Sequence, residues 1–237
     1  MPKHGKRYTE SAGLVDVERN YSPAEAVALA KSRANAKFDE TVELHLRTNA
    51  DPRHADQQLR GIAVLPHGSG RTVRVAVFAQ AEGARAATEA GAEVVGDDDL
   101  IARVEGGFTE FDVAIATPDM MGKIGKLGRI LGRKGLMPNP RTNSVVQPQD
   151  IGNAVAEAKK GRVELRMDRT AIIHSSIGKA SFDEAHLVAN LTSVIDTINR
   201  LKPSGVKGAF AKTAYLTTTM GPGVQLDLAE TMSLQAE

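Results

Sequence analysis

Two kinds of strand occupy different stretches of this chain, and their distribution constrains the fold more than any other feature. Thr41-Val42-Glu43-Leu44-His45-Leu46-Arg47 and Arg162-Val163-Glu164-Leu165-Arg166-Met167-Asp168 alternate strictly between polar and apolar residues. Such alternation puts one face on a core and the other in water, the habit of antiparallel sheets. Between them, Val73-Arg74-Val75-Ala76-Val77-Phe78-Ala79 and Val113-Ala114-Ile115-Ala116 are mostly apolar, as in a parallel sheet covered on both faces. The middle also alternates strand and helix: helix over 82–91, a short strand at 93–95, helix over 97–105, strand over 111–116. That is the rhythm of a doubly wound unit. The expected fold is therefore two-domain, α/β and α+β. Residues 1–69 and 160–237 form a discontinuous α+β domain, and a Rossmann-like α/β domain over 70–159 is inserted into it. Pro66-His67-Gly68-Ser69-Gly70 and Lys160-Gly161 are the expected hinges.

The outer segments carry marked helices. Ser22-Pro23-Ala24-Glu25 combines a capping serine, proline at the first helical position and glutamate three residues after the cap. Ser181 with Glu184 predicts a second capping box, followed by the apolar stripe Leu187, Leu191, Val194, Ile195, Ile198 and Leu201. Lys202-Pro203 should stop that helix. A strand near 213–219, a Met220-Gly221-Pro222-Gly223 turn and a strand over 224–228 follow. The opening MPKHGKRYTE reads as a mobile basic arm; it lacks the apolar core of a secretory signal. No window approaches the roughly 18–20 apolar residues of a membrane span. The lack of cysteine removes any disulfide frame and fits a cytoplasmic protein.

Enzymatic signatures are missing. Gly128 and Gly132 precede no Gly-Lys-Ser/Thr, and Ala81-Glu82-Gly83-Ala84 stands where a dinucleotide-binding loop would follow the first inserted strand. The six histidines have no paired metal-ligand spacing, and no Gly-x-Ser-x-Gly elbow occurs. Asp51, His54 and Asp56 are best explained by a turn and helix start, and Asp97, Asp98 and Asp99 by a helix N-terminus. No catalytic residue, metal or cofactor is expected. A sugar- or nucleotide-phosphate enzyme on the α/β domain remains the alternative.

One segment does carry a chemical message. From Met120 to Gln149 the chain holds Lys123, Lys126, Arg129, Arg133, Lys134 and Arg141 with no acidic residue, although the whole protein has a net charge of only +1. Cations spaced by glycines suit a polyanion, because ammonium and guanidinium groups bind phosphate while glycine lets backbone approach closely. Aromatic residues are few and the RNP1 signature is absent, so an RNA-binding role would rest on backbone, 2′-hydroxyl and shape recognition. Thr213, Tyr215, Thr217 and Thr219 fall on one side of the last long strand, and Thr219-Met220-Gly221 would let backbone meet a sugar edge-on.

Longer stretches resemble one family closely. They are residues 36–43 (AKFDETVE), 51–57 (DPRHADQ), 60–70, 132–140, 173–179 (IHSSIGK) and 217–222 (TTTMGP). In order and spelling they resemble the bacterial large-subunit ribosomal protein L-one family, and they span nearly the whole chain. The resemblance implies a first domain, built from both termini, that grips large-subunit rRNA at the mobile stalk beside the exit-site tRNA. It implies rRNA contacts at Lys37, Phe38, Thr41, Glu43, Thr219, Met220 and Gly221, with Thr213 where serine is frequent. Thr217, Arg166, His174 and Lys179 are further candidates on the same or neighbouring strands. It also implies a cytoplasmic protein of the ribosome, monomeric when free, that assists release of deacylated tRNA and represses its own operon mRNA. Two departures stand out. Arg133-Lys134 replaces a common Gly-Pro-Arg-Gly spelling, adding charge to the loop, and His54 replaces the usual Lys or Arg.

Overall fold

The computed structural model describes residues 5–235, the side chain of Arg141 excepted. In chain order, the first stretch carries α1 (Lys6–Ala12), α2 (Pro23–Arg33), β1 (Thr41–Thr48) and β2 (Arg60–Val64). The middle runs β3 (Val75–Phe78), α3 (Ala81–Glu89), β4 (Val94–Gly96), α4 (Asp98–Glu105), β5 (Val113–Ala116), α5 (Pro118–Ile124), a 3-10 turn at Gly125–Leu127, α6 (Gly128–Lys134) and α7 (Ile151–Lys159). The last stretch carries β6 (Arg162–Arg166), β7 (Ile172–Lys179), α8 (Glu184–Arg200), β8 (Ala211–Thr218), β9 (Val224–Gln225) and α9 (Leu228–Met232). The chain divides into two compact units, one holding the residues up to 70 and from 163 onward, the other residues 71–162.

The outer unit is built on an antiparallel sheet ordered β7-β1-β8-β9. Alternation in β1 buries Val42, Leu44 and Leu46 and leaves Glu43, His45 and Arg47 on the other face. The buried face meets Ala26, Val27 and Ala30 of α2 and Leu187, Leu191, Val194, Ile195 and Ile198 of α8. Each fully buried Leu, Ile or Val there contributes about 1.5–3 kcal/mol. Strands β2 and β6 form a separate two-stranded sheet. Ser22 caps α2 by accepting the Glu25 amide, with Pro23 at the first helical position.

Five expectations need correction here. The strand expected over 224–228 ends at Gln225, because Asp227 caps α9 and Leu228 opens that helix. No helix starts after the turn at 51–56; the chain runs on to β2. Ser181 does not cap α8; the helix starts after Asp183, and Ser181 instead donates its amide and hydroxyl to Asp39. Leu201 leaves the apolar stripe because the helix ends at Arg200, and its side chain is exposed. The basic arm is not free chain from residue 6 onward. It forms α1, held where Arg7 donates to the Asn35 carbonyl and the Asn35 amide donates to buried Ser11. Residues 1–4 of that arm lie outside the described residues.

The inserted unit is a parallel sheet ordered β4-β3-β5, continued by a parallel bridge between Ala116 and Val145. Every residue of β3 is buried, since both faces are covered. Ala76 and Phe78 pack with α4, α5 and α6 through Leu100, Val104, Met120, Ile124, Leu127 and Leu131. Val75 and Val77 pack with α3 and α7 through Ala87, Ile151, Val155 and Ala158. Two apolar layers on one sheet define the doubly wound arrangement. The fold class is mixed α/β and α+β.

Candidate nucleic-acid interface

The outer unit gathers three chain segments at one end of its large sheet. Thr41, the first residue of β1, pairs with Lys179 at the end of β7, and its neighbour Val42 pairs with Thr218 at the end of β8. The 35–40 loop, the 179–181 corner and the 218–221 turn therefore meet, although they lie far apart along the chain. Hydrogen bonds tie them together. Thr219 Oγ1 accepts the Thr41 amide at 2.9 Å, and Lys179 Nζ donates to Thr41 Oγ1 at 2.9 Å. The Asp39 carboxylate accepts the Ser181 amide at 3.1 Å and its hydroxyl at 2.8 Å. Glu40 is buried, and its two oxygens accept the amides of Ala36 and Met220, each at 2.9 Å. Burial alone would raise the pKa of Glu40, but these amide donors outweigh it and hold the carboxyl below its usual range. The buried Thr218 hydroxyl also lies close to the charge; its geometry falls short of a hydrogen bond, so the backbone amides are what hold it.

On this scaffold Phe38 and Met220 are large apolar side chains that stay more than half exposed. Lys37 is exposed, Thr41 buried, and Glu43 half-buried between Ser176 of β7 and Thr217 of β8. Gly221 closes the turn through its amide to the Thr218 carbonyl, and a Cβ there would collide with Thr218 Oγ1. Its lack of a side chain thus has a packing reason inside the protein as well. Thr213 sits opposite Arg47 toward the far end of β8, about 20 Å from the turn at the rise of an extended strand. Arg166 lies on β6 in the two-stranded sheet, so it does not join the others on the four-stranded one.

Next to Glu43 on the open face, His45 and His174 place their Nδ1 atoms 2.7 Å apart. One ring must donate and the other accept, so the two Nδ1 atoms cannot both be protonated in this arrangement. Burial and the charge of His174 lower the pKa of His45, against a smaller opposing pull from Glu43. Asp168, 3.6 Å from His174 Nε2, is lowered to about 2. Burial works against that charge, but the Thr170 hydroxyl, the Ile172 and Thr170 amides and His174 prevail. Glu40, Asp39 and His45 are the members that sequence reasoning left out of the site, whereas Tyr215, already named on the last long strand, pairs with His45 on β8. Only the alternation of β1 could have flagged His45, and no local signal marks Glu40 or Asp39.

The inserted unit presents its cations differently. From α5 to α6, Met120, Ile124, Leu127 and Leu131 point into the core, while Lys123, Lys126, Arg129, Arg133 and Lys134 lie on the outside. Lys123 pairs with Asp98 at 2.7 Å, and Lys134 donates to the Thr109 hydroxyl. The side chain of Arg141 lies outside the described residues. Gly122, Gly125, Gly128 and Gly132 interrupt this surface, and a Cβ on any of them would meet open space. The chain after α6 turns at Gly135, whose φ of +71° suits glycine, and Leu136 and Met137 pack back on the core. Asp51 accepts the Arg53 amide, a turn, and Asp98 serves the ion pair with Lys123. Among the described residues no group of three His, Asp or Glu could hold a metal ion, and no helix is long and apolar enough to cross a membrane.

The family profile described as ribosomal protein L1p/L10e matches residues 29–222, which include every segment of the outer site. The chain belongs to this family. Its relatives extend over the whole length. "Large ribosomal subunit protein uL1" of Dehalococcoides mccartyi is 58% identical over 228 residues, covering 96% of each chain. The protein of the same name from Thermomicrobium roseum is 57% identical over 233 residues, covering 98% of this chain and 97% of its own. That of Chloroflexus aggregans is 53% identical over 236 residues, covering 99% and 100%. The L1p/L10e match takes in both units, the basic helix surface as well as the sheet end.

Proposed function

We propose that this protein is a non-enzymatic constituent of the large ribosomal subunit that binds the mobile stalk of the large-subunit rRNA. The observation that carries this reading is the sheet end, where residues far apart in sequence are fixed by internal hydrogen bonds around exposed Phe38 and Met220. A rigid patch of hydroxyl, carboxylate and backbone groups suits a folded RNA read by shape and 2′-hydroxyls. Lys37, Phe38, Glu43, Thr217, Thr219, Met220 and Gly221 form its centre. On this reading the discontinuous outer segments, 1–69 and 160–237, form the RNA-gripping domain, and 70–159 the inserted one. The inserted domain's cations face phosphates of rRNA or of a departing exit-site tRNA, supplying affinity without sequence information. Because the recognised feature is a local RNA shape, a matching site on the protein's own operon mRNA gives free protein a route to repress its own translation. The protein acts in the cytoplasm, and is monomeric when free.

The test is a titration against the stalk rRNA fragment and against an unrelated structured RNA at two salt concentrations. Tight binding to the first that survives salt, beside weak and salt-labile binding to the second, is the expected result. Equal, salt-labile binding to both removes specific recognition.

A further inference from the structure

We infer that Glu40 is a positioning residue for RNA discrimination, its ionised carboxylate holding the Phe38 loop and the Met220 turn at the spacing a single RNA surface requires. The inference rests on the RNA reading above. The two exposed large apolar side chains at the sheet end, Phe38 and Met220, belong to segments that are not paired with each other in the β ladder. Residues 35–40 precede β1, and 219–221 follow β8. Thr219 meets Thr41 at the base of the two segments, and Glu40 connects them further out, at Ala36 and Met220. One oxygen accepts the Ala36 amide and the other the Met220 amide, both at 2.9 Å, in a side chain 1% exposed. Its own carbonyl accepts the Ala180 amide at 2.8 Å, which fixes Glu40 to the third segment as well.

A buried carboxylate satisfied only by backbone donors is a costly way to brace two loops. Its solvation is replaced by fixed N–H groups, and removing either donor or acceptor leaves a buried polar group unpaired. Among the described residues no lysine or arginine hydrogen-bonds to it, so its negative charge is balanced by neutral dipoles, chiefly those of the Met220 and Ala36 amides, with the Thr218 hydroxyl nearby. The chemistry is also demanding of the residue type. Both contacts are made to donors, so the group must offer two acceptors. A glutamine offers one, and its NH2 would face the other amide. An aspartate keeps two acceptors but is one methylene too short to reach both loops.

The experiment compares wild type, Glu40→Gln and Glu40→Asp, each as the full chain, with the stalk rRNA fragment and an unrelated structured RNA at two salt concentrations. Amide hydrogen exchange is followed at Ala36 and Met220. Both variants are expected to lose roughly ten- to hundredfold in affinity for the stalk fragment. Affinity for the unrelated RNA and the salt slope should stay at wild-type values, since no phosphate-facing cation has changed. Faster exchange at Ala36 or Met220 is expected in both variants, whereas the amides of the inserted unit keep their protection. Should Glu40→Gln fail to fold, the shorter Glu40→Asp carries the same comparison with the charge retained. Faster exchange together with unchanged discrimination overturns the inference and leaves the RNA reading standing. A wild type that does not discriminate between the two RNAs overturns both, and that arm is read before any variant.

Discussion

The two surfaces proposed to contact RNA are built on opposite principles. At the sheet end of the outer unit nearly every polar group is already engaged: Thr219 with Thr41, Lys179 with Thr41, Asp39 with Ser181, Glu40 with two loops. On the α5–α6 surface of the inserted unit, Lys126, Arg129 and Arg133 stand on the outside of a helix broken up by glycines. Groups fixed before binding lose little freedom on binding and can reject a wrong shape, because a mismatched partner leaves them unpaired. Outward cations on long side chains adapt to any phosphate and reject none. On the proposed function, this difference would give discrimination to one surface and salt-sensitive affinity to the other.

Rigidity in the outer unit should be visible first as stability. Asn190 is fully buried on α8; its side chain accepts the His67 amide at 3.1 Å and donates to the carbonyls of Gly68 and Ile177. Asn190→Ala strands those groups and should cost roughly 3 kcal/mol in denaturant unfolding. Arg129→Ala on the inserted unit should stay within about 0.5 kcal/mol. Comparable losses for the two would erase the contrast between a wired outer unit and a free helix surface.

Binding gives the second test. Thr219→Ala removes the acceptor for the Thr41 amide and Met220→Ala removes an exposed apolar anchor, and each should weaken stalk rRNA binding by about 1–3 kcal/mol. Affinity for unrelated RNA should not change. A uniform loss across both RNAs would place generic affinity, not discrimination, at the sheet end.

How far the sequence reveals all this differs between fold and site. Alternation at 41–47 and 162–168 and the apolar runs between them announce two kinds of sheet, because periodicity reports directly how many faces are covered. The errors arise where long-range contacts compete with local rules. Ser181 has the spelling of a cap, but Asp39 lies within reach in space and takes its hydroxyl. MPKHGKRYTE looks like free chain, yet residues 6–10 belong to the helix that Asn35 docks. In the site, resemblance supplies Phe38 and Met220, yet a glutamate one position before an alternating strand reads as an ordinary surface carboxylate. Only the fold shows that Glu40 is buried between two loops.

The glycines of the basic surface sharpen the comparison from the other side. Gly122, Gly125, Gly128 and Gly132 have no positive φ and would find open space around an added Cβ, so packing does not require them. Alanine at each should stabilise the inserted unit by roughly 0.5–1 kcal/mol. If bare backbone there admits a close approach of phosphate, the same variants should bind RNA more weakly while melting higher. Higher stability with unchanged RNA affinity would make the glycines irrelevant to binding and leave the cations as the whole surface.

The smallest effect separates cations that look alike in sequence. Lys123 is held by Asp98 at 2.7 Å, so its charge is largely answered within the protein, whereas Arg129 has no ion pair within 4.0 Å among the described residues. Each cation that releases a counterion on binding contributes roughly 0.7–0.9 to the slope of log K against log salt. Arg129→Gln should therefore flatten that slope by about this amount, and Lys123→Gln by much less. The measurement is the salt dependence of binding to the unrelated RNA, where the sheet end adds nothing. Equal flattening by both variants would mean that RNA displaces Asp98 from Lys123, and the inserted surface would then be rearranged on binding, like an adaptable electrostatic face and unlike the pre-wired sheet end.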